Sequence, residues 1–198
     1  MTRVSKVVKE PQTVATMHGN EVHKALELYV GGTAALPEKH ARYLPMADRI
    51  RATHGDKKLE YKFALTQGLK ETTYFAKDAW LRGVLDVGIT RDKTAILLDY
   101  KTGKRKVDGD QLRLFAMAGL ALWPHVETVK TGFLWLQSDQ IDTQTYARAE
   151  QQPIFQEFSA RVHRMERSSA TGDWPPRPSG LCRAWCPVGS ANCEHCGA

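Results

Sequence analysis

The chain has 198 residues, 42% hydrophobic and 25% charged, enough for one domain with a packed core. It carries 28 Lys and Arg against 22 Asp and Glu, a net charge of +6 that favours a polyanionic partner without distinguishing nucleic-acid binding from a generally basic surface. No apolar run reaches the length of a membrane span and the N-terminus lacks the apolar core of a leader, so the expectation is an intracellular, cytoplasmic protein with no membrane partner.

Residues 1 to 16 form a basic lead-in without strong periodicity. Val22, Leu26 and Tyr29 or Val30 then recur at helical spacing, which predicts a helix from about Gly19 to Val30 with His23 beside its apolar stripe. A second helical stretch is expected from Pro37 to His54, interrupted near Pro45. Lys58 to Leu65 alternates polar and apolar residues and reads as a strand. Two apolar runs follow, Val84 to Ile89 and Ala95 to Leu98, with the polar Arg91-Asp92-Lys93 between them as the turn of a β-hairpin. Asp110 to Trp123 has the pattern of a helix with Gln111 in its first turn, and Thr128 to Leu136 that of another strand. Tyr146 marks one more strand, before a helix from about Pro153 to Ser168 on which Arg161, Arg164 and Arg167 recur three apart, usually the sign of a solvated face. Thr171 to Gly180, with Pro175, Pro176 and Pro178, is an extended connector. The expected fold class is α/β, a mixed β-sheet flanked by helices. The core spans residues 1–170, and residues 171–198 form a connector and cysteine-rich metal-binding tail packed on it.

The hairpin carries the chemistry. Asp99 and Lys101 are two apart on one strand and point the same way, and folding the hairpin brings Asp86 opposite them. Converging carboxylates repel unless a cation sits between them, and hard oxygen ligands suit Mg²⁺ or Mn²⁺. A lysine beside such a metal can hold a phosphate or an attacking water, an arrangement suited to phosphodiester hydrolysis. The bland alternative is a surface salt bridge between Asp99 and Lys101. Lys104, Arg105 and Lys106 follow directly, where a phosphate backbone would pass. All four cysteines, Cys182, Cys186, Cys193 and Cys196, fall in the last 17 residues at C-x₃-C-x₆-C-x₂-C spacing. That density points to one metal site, Zn²⁺ or an iron-sulfur cluster, with His195 as a substitute ligand.

The series Gly83-Val-Leu-Asp86, then Asp99-Tyr100-Lys101 and Gly103, resembles the PD-(D/E)XK nuclease superfamily, in the wording of its RecB-like branch. That branch includes AddB, CRISPR-associated adaptation nucleases and phage exonucleases. Gly19 and His23 match its G-x-x-x-H helix, and Gln111 with Phe115 softens its Q-x-x-x-Y by the loss of a hydroxyl. Glu60 resembles a glutamate that often precedes the hairpin, though it reads equally well as an exposed strand residue. The resemblance implies a restriction-endonuclease-like core and a metal-dependent DNA nuclease, an exonuclease of recombination, repair or phage and CRISPR DNA processing. By the same resemblance His23, Asp86, Asp99 and the Tyr100 carbonyl hold Mg²⁺ or Mn²⁺, Lys101 activates water and Gln111 positions the strand. In AddB and its CRISPR-associated relatives an upstream cysteine completes a [4Fe-4S] cluster. This chain has no cysteine before Cys182, so a self-contained zinc tetrad is the favoured reading. The competing readings are a catalytically inactive DNA-binding accessory module and a zinc-stabilised protein-interaction domain. DNA is the expected partner, together with a helicase or recombination protein because the chain has no helicase motif; polarity, strand preference and oligomeric state stay open.

Overall fold

The computed structural model describes residues 13–106, 110–176, 178–182, 186 and 193–194. The chain divides into two compact units, residues 18–158 and a smaller one drawn from the two chain ends.

Helix α1 (Val14–Val30), which enters the larger unit at His18, begins earlier than its apolar spacing suggests. A 3₁₀ turn over Glu38–Tyr43 leads straight into α2 (Leu44–Ala52). The interruption expected near Pro45 falls where the 3₁₀ turn gives way to α2. Pro45 stands in the first turn of α2, where a missing N–H costs nothing. Six strands follow in chain order: β1 (Asp56–Leu65), β2 (Glu71–Thr72), β3 (Leu81–Arg91), β4 (Thr94–Lys101), β5 (Thr128–Trp135) and β6 (Gln140–Ala147). Helix α3 (Asp110–Leu122) connects β4 to β5, and α4 (Gln151–Thr171) follows β6. The strands form one sheet in the order β2-β1-β3-β4-β5-β6, antiparallel throughout except for the parallel β4–β5 pair that the α3 crossover requires. This is the expected mixed sheet flanked by helices.

Each face of the sheet is covered because β4 is apolar on both. Ala95 and Leu97 pack with Ala116, Met117 and Leu120 of α3, and Tyr100 packs with Val22 and Leu26 of α1 and with Ile50 of α2. Small residues bring α3 close: a Cβ on Gly119 would lie 2.8 Å from Leu97 Cδ1. Each fully buried leucine in these layers contributes about 1.5–3 kcal/mol.

The β1–β3 pair breaks its own alternation at one step. Leu59 and Val87 pack on the α1/α2 side, yet Tyr61 and Leu85, two residues away on each strand, pack on the α3 side. A regular strand keeps residues i and i+2 on one face. The switch falls at Glu60, whose φ of 45° is left-handed, and the pairing register passes from Leu59↔Val87 to Tyr61↔Leu85. β3 and β4 also part here: their ladder runs from Arg91↔Thr94 only to Val87↔Leu98. A seam therefore opens in the sheet at Asp86 and Asp99.

The described part of the smaller unit holds the rest of α4, on which Arg161, Arg164 and Arg167 are exposed, and a 3₁₀ turn over Gly180–Cys182. Cys182, Cys186 and Cys193 are half-buried and in no disulfide; Cys196 and His195 lie outside the described residues, as do residues 1–12 of the basic lead-in.

Candidate active site

Asp86 projects into the seam, 7% exposed, and bonds in two directions. Its Oδ2 accepts the Tyr100 backbone N–H at 2.6 Å, replacing the ladder bond lost where the strands part. Its Oδ1 lies 3.2 Å from His23 Nδ1. His23 reaches the seam from α1, its ring edge-on to that of Tyr100 with centroids 5.6 Å apart. The glycine one turn before it fits this approach, because a Cβ on Gly19 would meet Thr102 Oγ1 at 3.3 Å. Glu60, aimed by its left-handed backbone, brings a carboxylate oxygen to 3.9 Å from His23 Nδ1. His23, Glu60 and Asp86 offer one ligand atom each, all within 4.8 Å of one another, the one such cluster among the described residues.

Asp99 and Lys101 face the α3 side of the same seam. Lys101 Nζ lies 2.7 Å from Asp99 Oδ2 and donates to Gln111 Oε1 at 2.8 Å. Gln111 Nε2 in turn donates to Asp99 Oδ1 at 2.7 Å, so one amide orientation serves both neighbours. The ammonium also lies 4.8 Å from the centre of the Phe133 ring. Asp99 Oδ2 is buried without a hydrogen bond; its contact with Lys101 is an ion pair lacking hydrogen-bond alignment.

Burial and the closeness of the carboxylates shift the proton affinities of the site. Burial raises the Asp99 carboxyl and the neighbouring Asp86 charge adds to the rise, against the lowering by Lys101. Burial and the Asp86 charge raise Glu60 too. Burial alone would lower His23, but its bond to Asp86 and the surrounding carboxylates overcome this and raise it. One imidazole and the carboxylates of Glu60, Asp86 and Asp99 at one seam fit a hard divalent cation.

The expected site residues thus form two clusters at one seam. His23 and Asp86 meet on one side; Asp99, Lys101 and Gln111 meet on the other. Glu60, left outside the expected ligand set, joins the His23 and Asp86 cluster. The signal that could have found it was its position one strand before the hairpin. Phe115, on the buried face of α3, packs into the core. Lys104, Arg105 and Lys106 are exposed, but the Arg105 fork pairs with Asp142, whose carboxylate also accepts from Trp135 Nε1 at 2.8 Å.

Helices on both faces of a mixed sheet, with acids and a lysine at an opened seam, define a nuclease-like fold with a candidate divalent-metal site. A model of the PD-(D/E)XK nuclease superfamily matches residues 1–194, and the chain belongs to that superfamily. No curated protein matches it. Among solved structures it is similar to one described as "Crystal structure of SSO0001", at 14% identity and a TM-score of 0.39, over 92% of this chain and 98% of that one.

Proposed function

We propose that the protein is a divalent-metal-dependent deoxyribonuclease of the RecB-like branch, an exonuclease that hydrolyses phosphodiester bonds of DNA. The observation that carries the reading is the meeting of the His23–Glu60–Asp86 cluster with the Asp99–Lys101–Gln111 cluster across one seam. His23, Glu60, Asp86 and Asp99, with the Tyr100 carbonyl, would hold Mg²⁺ or Mn²⁺, which supplies Lewis-acid polarisation of the phosphate and a more acidic bound water. Lys101 places its ammonium beside the reacting phosphate and steadies the charge that develops there. Gln111 keeps Lys101 and Asp99 in register through its two hydrogen bonds. Phosphate contacts fall to Lys104 and Lys106, and to Arg105 once it exchanges Asp142 for a phosphate. Cys182, Cys186, Cys193 and Cys196 hold a structural Zn²⁺ that ties down the tail.

End-labelled duplex and single-stranded DNA, incubated with Mg²⁺, Mn²⁺ or EDTA, test the reading beside Lys101→Ala. Metal-dependent degradation that the variant lacks supports it, and the label released first gives the polarity. Intact substrate with either metal, from protein that retains its zinc, would leave a DNA-binding module of nuclease fold.

A further inference from the structure

A concavity of about 380 Å³ lies beside the candidate site, between β1, β3 and the first turns of α3. Its walls are apolar: Phe63, Leu81, Val84, Leu114 and Phe115. The polar groups in its lining are Arg82 on one strand and Asp110 and Gln111 at the start of α3. That combination, an apolar slot with a few polar groups, is typical of a site for a flat organic ligand, and its size is at the low end for such sites.

Two features tie the slot to the nuclease centre. Gln111 belongs to both, lining the slot while its amide holds Asp99 and Lys101, so a group lodged there sits one residue from the reacting phosphate. The second is Gly83. A Cβ there would lie 2.5 Å from Phe63 Cζ, so any side chain would have to displace the ring that forms this wall. Arg82 extends the surface outward by donating to the Ala76 carbonyl at 2.9 Å. It thereby anchors the loop that carries Phe75, whose ring is 87% exposed.

We infer that the slot takes one unpaired nucleobase of the strand being cut, with Phe75 available to stack the next one. This rests on the nuclease reading above and narrows its substrate to single strands or frayed ends. A base stacked in a duplex has both faces covered and must leave the stack before it can enter a pocket. A base on an aromatic or apolar platform adds affinity whatever its identity.

The test compares the affinity of the protein for a ten-residue oligothymidylate with that for an all-abasic backbone of equal length and charge. Ca²⁺ replaces Mg²⁺, and fluorescence anisotropy is the readout. Wild type should bind the oligothymidylate about tenfold more tightly, the value of one stacked base. Leu114→Trp, or Leu81→Trp from the opposite wall should the first fail to fold, fills the slot and should cut the preference severalfold, leaving only what Phe75 adds. The same sequence in a duplex should bind wild type more weakly than the single strand. Equal affinity for the two backbones, no binding to either, or a preference that survives the filled slot undiminished and disappears in Phe75→Ser would each overturn the inference. A parallel Mg²⁺ digest separates it from the nuclease reading. Base preference without cleavage leaves the slot standing and removes hydrolysis; cleavage without base preference does the reverse.

Discussion

Lys101 keeps its charge between Asp99, Gln111 and the face of Phe133, three neighbours that leave its ammonium little rotational freedom. Replacing it with alanine should lower the single-turnover cleavage rate by about 10²–10³, as expected for a group aimed at developing charge, while Mn²⁺ affinity stays close to wild type. Gln111→Ala removes the amide that bonds both Asp99, a proposed cation ligand, and Lys101; a loss of about 10–100-fold in rate is expected. Glu60 invites a different experiment. Its left-handed φ of 45° costs a non-glycine residue on the order of 1–2 kcal/mol, so strain and function sit in the same residue. Glu60→Gly should therefore be more stable than Glu60→Ala by about 1 kcal/mol in urea unfolding, and both should bind Mn²⁺ more weakly than wild type. A glycine variant no more stable than the alanine one would mean the strain is not relieved there.

At the scale of elements, the hairpin was legible because its chemistry is local. Spacing put Asp99 and Lys101 on one face, and the polar turn put Asp86 opposite. The actual turn is tighter, at Asp92–Lys93, with Asp92 at a φ of 50°. Glu60 was not legible in the same way. Leu59-Glu60-Tyr61 spells an ordinary alternating strand, whereas the observed strand changes faces at Glu60 because the helices on the two sides of the sheet claim Leu59 and Tyr61 separately. Arg105 shows the same limit: its basic neighbours suggested phosphate, and the fold supplies Asp142 from the far strand β6. Arg148 is a third long-range device that the sequence does not announce. Its guanidinium caps the end of α3 and the turn after it, bonding the carbonyls of Leu120, Trp123 and Val126. Arg148→Met should lower stability by about 2–3 kcal/mol, since it removes charged donors from partly buried carbonyls. Urea denaturation at constant m-value checks this, and a loss below 0.5 kcal/mol would leave the cap ornamental.

For the molecule as a whole, the site should set the pH dependence of stability. Glu60, Asp99 and His23 all hold protons more tightly in the folded chain than their ordinary values of 4.5, 3.8 and 6.5. Each therefore favours the folded state most below its unfolded value, and that contribution is lost as pH rises through the raised one. With EDTA, stability traceable to the site should fall from about pH 4 upward, through the carboxyls first and His23 above 6.5. Mg²⁺ or Mn²⁺ should reverse the trend, because cation binding strengthens as its ligands lose protons. Thermal melts across that range, with Asp99→Asn as the comparison, would show it; a metal-free profile unchanged by Asp99→Asn would contradict it. Among the described residues no helix is long and apolar enough to cross a membrane. The measurement that bears most directly on the nuclease claim is a Mn²⁺ titration of EDTA-stripped protein, with bound metal and the initial rate of DNA cleavage read in the same samples. The rate should rise with occupancy of a site that His23→Ala and Asp86→Ala both weaken. Full occupancy with intact DNA, or cleavage that persists in EDTA, would contradict it.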